Sequence, residues 1–125
     1  MKLFTVEEAN ALLPTVRRIV AGIRRAHAEV AARREAARRA AEGAEQGGGS
    51  MPGGARYAAA LLRLAERAGA LDALGVQLKD YARGLIDFPS LRDGRVVLLC
   101  WELGEGDHIE WWREVEAGYA GRQPL

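Results

Sequence analysis

Leu85-Ile86-Asp87-Phe88-Pro89-Ser90-Leu91-Arg92-Asp93-Gly94-Arg95-Val96-Val97-Leu98-Leu99-Cys100-Trp101 is the stretch that decides the fold class. Two apolar runs flank Arg92-Asp93-Gly94-Arg95, and Asp-Gly between apolar runs is a hairpin-turn signal. The spacing predicts one short strand over Leu85–Phe88, closed by Pro89, and a second over Val96–Trp101. The second run is apolar at every position, so it belongs at the centre of a sheet or beneath covering helices. Just upstream, Val76-Gln77-Leu78-Lys79 alternates apolar and polar as a half-buried strand does. Three strands then make a small antiparallel β-meander.

Farther upstream the apolar period changes to that of helices. Thr5-Val6-Glu7-Glu8 is a capping box, in which Thr5 and Glu8 satisfy each other's backbone N–H groups, with Phe4 placed to staple onto Ala9. Pro14 predicts a break, so a short helix over Val6–Leu12 is expected, followed by a long one from Pro14 to Glu42. Val16, Ile19, Ile23, Ala26, Val30, Ala37, Ala40 and Ala44 form a stripe at spacings of three and four that skips only Arg33. Gln46-Gly47-Gly48-Gly49-Ser50-Met51-Pro52-Gly53-Gly54 reads as a flexible loop, and it lacks the Gly-Lys-Ser/Thr of a phosphate-cradling loop. Tyr57, Leu61, Leu64, Ala68, Leu71 and Leu74 then mark a second long helix over 55–74, antiparallel to the first. Leu78 and Tyr81 keep the same spacing, but the strand-like alternation favours a stop at Gly75. Ile109–Ala117 reads as a short C-terminal helix capped by Asp107, followed by an extended tail from Gly121 to Leu125. The expected fold is α+β in a single domain over 1–125: a helical hairpin over 5–74, then meander, helix and tail over 75–125.

Composition narrows the function. Of 125 residues, 18 are Lys or Arg and 17 Asp or Glu, a net +1 that gives no global reason to expect a nucleic-acid or membrane partner. No apolar run approaches the roughly 20 residues that span a bilayer, and Glu7 and Glu8 interrupt the N-terminal segment too early for a signal peptide. The single cysteine, Cys100, precludes an intrachain disulfide, and a cytoplasmic setting is expected.

Several of these stretches resemble a known family. Phe4-Thr5-Val6-Glu7-Glu8-Ala9-Asn10-Ala11-Leu12-Leu13-Pro14 opens the chain, and Gly84-Leu85-Ile86-Asp87-Phe88-Pro89, Leu99-Cys100-Trp101, Leu103-Gly104-Glu105 and Gly118-Tyr119-Ala120-Gly121-Arg122 follow. Together they resemble the bacterial family named domain of unknown function 2203, over nearly the whole length. The resemblance implies that Asp87, Phe88, Gly94, Cys100, Trp101, Gly104, Glu105, Gly121 and Arg122 stand at signature positions, and it brings no activity with it. This chain reads Trp112-Arg113 where the family pattern tends to Trp-His.

The chemistry on offer is sparse. His108, near Glu102, Glu105 and Asp107, is the one local set of metal-ligand residue types, without a recognised metal-site spacing. Cys100 lies in an apolar strand, where a thiol is an inert small hydrophobe. Thr15–Glu42 holds eight Arg and three Glu, a net +5, and the last 25 residues hold six acids and two Arg, a net −4. Contact between these two regions accounts for both without nucleic acid.

Two functions remain as expectations. The first is a non-enzymatic, self-associating scaffold or interaction module: a homodimer whose hairpins form a four-helix bundle, since a two-helix hairpin with a small meander has a thin core. The second is a small-molecule or metal site on the meander and tail, with Asp87, Arg92, Trp101, Glu105 and Arg122 binding a small anionic ligand and His108 beside them. No catalytic residue and no cofactor is assigned. Arg122, in a polar irregular tail, is expected to grip the carboxylate of Asp87 or Glu105 in either case.

Overall fold

The computed structural model describes residues 1–45 and 52–125. Helix α1 (Val6–Glu45) and helix α2 (Pro52–Ala73) pack antiparallel. Five strands follow: β1 (Gln77–Asp80), β2 (Leu85–Arg92), β3 (Arg95–Glu102), β4 (Trp111–Glu114) and β5 (Gln123–Pro124), with a 3₁₀ turn over Tyr119–Gly121 before the last. The sheet order is β1-β2-β3-β4-β5, antiparallel throughout, so the fold is the expected α+β meander with two more strands.

The capping box forms as read: Thr5 N–H donates to Glu8 Oε1 at 2.8 Å, and Glu8 N–H to Thr5 Oγ1 at 3.0 Å. Phe4 goes further than its staple role. Its ring packs edge-on to Phe88 at 5.3 Å, which ties the start of α1 to the sheet.

Pro14 does not break the helix, and α1 is continuous across it. Proline removes one hydrogen bond to the carbonyl four residues back. Pro14 lies on the exposed side, where water can reach that carbonyl, while Leu13 and Val16 beside it are fully buried. Packing on the sheet therefore outweighs the local penalty.

The second correction concerns the glycine-rich stretch. Residues 46–51 of the expected loop lie outside the described residues, but Pro52, Gly53 and Gly54 are helical. Pro52 stands at the first helical position, where its missing N–H is not needed. A Cβ on Gly53 would lie 3.1 Å from the carbonyl oxygen of Ala36, so glycine lets α2 run close against α1.

Ala9, Leu13, Val16, Val20, Ile23, Ala26 and Val30 of α1 are buried, and most of them meet Leu71, Ile86, Phe88, Val97, Leu99, Trp101 and Trp112 in one core. Beyond Val30 no described residue of α1 is fully buried, as the thinning of its stripe to alanine implies. At 1.5 Å per residue α1 is about 60 Å long, so its distal half extends past the sheet.

Two strand boundaries also move. β2 continues through Pro89, because β1 pairs only with Leu85–Asp87 and leaves the rest of β2 at an open edge. There the N-terminal segment takes over: Phe4 N–H donates to the Pro89 carbonyl at 2.7 Å, and the Ser90 hydroxyl to the Phe4 carbonyl at 2.6 Å. The expected C-terminal helix over Ile109–Ala117 is absent, replaced by β4 and, later, the 3₁₀ turn. Trp111-Trp112-Arg113-Glu114 suits a strand because alternate side chains leave on opposite faces, so Trp112 enters the core and Trp111 does not. Asp107 caps nothing; it pairs with Arg17 at 2.9 Å.

Gly84 sits at φ +67° with Val20 and Leu103 each 2.8 Å from where a Cβ would be. Gly94, in the Asp93-Gly94 turn at φ +52° and +77°, has open space around it. Gly84→Ala is expected to destabilise the protein by about 3 kcal/mol, from overpacking added to backbone strain. Gly94→Ala should cost only about 1 kcal/mol, from backbone strain alone. Urea titration of the two variants separates these contributions.

Candidate functional site

Alternation fixes what each sheet face carries. Ile86, Phe88, Leu99, Trp101 and Trp112 face the helices, so Asp87, Cys100 and Trp111 face away. The register puts these three side by side: Asp87 opposite Cys100, Cys100 opposite Trp111, and Trp111 opposite Pro124. Leu98 opposite Arg113 and Leu85 opposite Glu102 flank that row.

This outer face is not open to solvent. Asp87 and Cys100 are 0% exposed and Arg113 8%. The chain's own C-terminal segment provides the cover, held by charges and rings. Arg122 Nη2 donates to Glu105 Oε1 and Oε2 at 2.8 and 2.9 Å, and its guanidinium lies 5.0 Å from the Trp111 ring and 4.7 Å from the Tyr119 ring. The Tyr119 hydroxyl donates to Glu102 Oε2 at 2.9 Å. Arg83 grips both Glu102 oxygens at 2.7 and 3.0 Å and stacks on Tyr119 at 4.2 Å. Beneath them Arg113 bridges Asp87 and the carbonyl of Ala117. Asp87 Oδ1, Arg113 Nε and Arg122 Nε have no protein hydrogen-bond partner.

Burial raises the Asp87 carboxyl above its ordinary range, against the pull of Arg113. Burial, helped by the neighbouring Asp87 charge, pushes the Cys100 thiol up to about 11. At neutral pH Cys100 is thus a protonated thiol, the opposite of what a nucleophile needs. Glu102 moves the other way, its carboxyl lowered by the hydrogen bonds from Arg83 in spite of partial burial.

Of the residues singled out in the sequence, Arg122 and Glu105 meet directly, and Asp87 shares their face but pairs with Arg113. Trp101 lies on the opposite, helix-facing side, its Nε1–H donating to the Gly106 carbonyl at 3.0 Å. Arg92 stands apart, its guanidinium 4.4 Å from the Trp112 ring. The structure therefore brings Glu105 and Arg122 together and puts Asp87 on the same sheet face, with Arg92 and Trp101 elsewhere. His108 is exposed, while Glu102, Glu105 and Asp107 are each taken by an arginine. Among the described residues no three His, Cys, Asp or Glu gather in a way that could hold a metal. Sequence reasoning missed Arg83, Arg113 and Tyr119. The available signal for Arg113 was Asp87 itself, since a carboxylate inside Leu-Ile-Asp-Phe demands a buried cation.

Compared with known proteins, the chain matches the family model described as "Uncharacterized conserved protein (DUF2203)" over residues 2–125. No curated protein and no solved structure matches it.

Its bonds to Glu105 and its contacts with Trp111 and Tyr119 mean that Arg122 ties the tail to the sheet. Arg122→Ala is expected to lower stability by about 2 kcal/mol, the scale of hydrogen bonds to a charged group. Arg113→Ala should cost about 3–5 kcal/mol, because it strands a buried carboxylate. Chemical denaturation reads both, and unchanged stability in Arg122→Ala would overturn the pinning role. In the native protein Cys100 should resist iodoacetamide at pH 8, with labelling that tracks unfolding.

Proposed function

The chain belongs to the DUF2203 family, an uncharacterised conserved family, and on that premise we propose that it is a non-enzymatic, self-associating interaction module of the cytoplasm. One observation carries the proposal. Ala58, Leu62, Ala65 and Gly69 recur on α2 at spacings of four, three and four, and all four are exposed. Leu62 is 66% exposed, and Leu61 beside it 40%. The opposite stripe of α2 already packs on α1, so this is a second seam on a helix that uses only one within the protomer.

The arrangement suits a two-fold partner. Leu62 stands at the middle of Pro52–Ala73, so antiparallel crossing of two α2 helices there brings each Leu62 to the other. The small residues on either side permit close approach. The result is a four-helix bundle of two hairpins. The competing reading, a ligand site under the tail, has against it that Asp87, Glu102 and Glu105 each already hold an arginine.

Light scattering at tens of micromolar is expected to give twice the 13.6 kDa chain mass. Leu62→Glu should shift the protein to monomer with its helical circular dichroism intact, because Leu62 makes little contact within the protomer. A monomer mass for the unaltered chain would overturn self-association.

A further inference from the structure

On the other flank of the hairpin, α1 and α2 form a shallow groove of about 270 Å³ lined by Arg18, Ile19, Gly22, Arg25, Arg67 and Ala70. A Cβ on Gly22 would lie 3.4 Å from both Cδ and Nε of Arg67 and 3.8 Å from Nη2 of Arg25. Glycine thus lets the Arg67 side chain cross α1, which brings its guanidinium beside that of Arg25. Arg18, one turn before Gly22, completes a row of three cations. Among the described residues none of the three has a carboxylate within ion-pair distance. The carboxylate one turn on, Glu29, is engaged by Arg63 and Arg33.

Elsewhere on α1, Arg17 is matched by Asp107, Arg33 by Glu29, Arg38 by Glu35 and Glu42, and Arg39 by Glu35, while Arg24 and Arg34 are unpaired among the described residues but line no groove with a second helix. Like charges held together against an apolar floor repel unless an anion lies between them. We propose that this groove is an anion site for a small molecule carrying two or more phosphate groups. Arg18 and Arg25 stand about 10 Å apart along the helix axis with Arg67 between them, a spread that suits an extended, multiply charged anion. A phosphate also carries nearly two charges on three acceptor oxygens, where a carboxylate carries one on two, so few groups neutralise three guanidiniums. The site is independent of the α2 seam, because Arg67 and Ala70 lie around the helix from Leu62.

Titration calorimetry with inorganic triphosphate at about 150 mM salt tests this. Saturable binding is expected, with Arg25→Ala and Arg67→Ala each weakening it about tenfold. Arg24→Ala, the same charge change about 200° around α1 from Gly22, should leave it unaltered. Gly22→Leu keeps every charge but occupies the space of the Arg67 side chain, and it should weaken binding like Arg67→Ala. Absence of binding, or equal weakening in Arg24→Ala, would overturn the site. Orthophosphate binding as tightly as triphosphate would overturn the multi-phosphate assignment, as would an acidic peptide that displaces triphosphate at equal concentration.

Discussion

A sheet has two faces, and this chain has one pair of helices to cover them. β3 is apolar on both sides, with Val97, Leu99 and Trp101 turned to α1 and Leu98 and Cys100 turned away, and all five are buried. Exposing the second set would forfeit about 25 cal/mol for each Å² of apolar surface. The remaining cover must come from the residues after β4. Broken by Gly118, Gly121 and Pro124, that segment forms no third helix and lies down as a 3₁₀ turn and a two-residue strand, fastened by guanidinium–carboxylate and guanidinium–ring contacts.

The buried Asp87–Arg113 pair belongs to the same solution. Desolvating two charges is costly, and an apolar pair of similar volume could be as stable or more so. What charges add is a demand for one register. Asp87 meets Arg113 only when β2, β3 and β4 align as they do, and the Arg113 bond to the Ala117 carbonyl extends that demand to the tail. A slip of one residue in β2 would turn Asp87 to the helix-facing side, among Leu99, Trp101 and Trp112.

Much of this was legible in the sequence. Period gave both helices and the first three strands, and Asp93-Gly94 gave the turn. What misled was local grammar read without tertiary context. Pro14 and Pro52-Gly53-Gly54 look like breaks, yet one proline faces solvent and the other starts a helix, and Gly53 is required by the closeness of Ala36. Trp111-Trp112-Arg113-Glu114 is too short for its period to separate strand from helix, so the outer face and its lining stayed hidden. Arg122 and Glu105 could be paired from composition, since a lone tail arginine among acids has few other uses. Arg92 stays in the set when the strand is ended at Phe88; β2 runs on through Arg92, and alternation with Phe88 puts it on the helix side, where it reaches Trp112. The arginines of α1 likewise read only as a net positive stretch, whereas the structure sends Arg17 to the sheet loop and Arg18 and Arg25 to the α2 groove.

Covering one sheet face with a segment made after the sheet itself has a consequence for biogenesis. A ribosome delivers α1, α2 and the first four strands before residues 119–124 emerge, so the nascent sheet passes through a stage with Leu85, Leu98 and Cys100 uncovered and Asp87 short of its full enclosure. During that interval the helix-facing side can already be packed while the other side is adhesive. The time the polypeptide spends in this half-clad form is set by translation speed over a handful of codons, and that is when a chaperone, or a neighbouring nascent chain, would find something to hold.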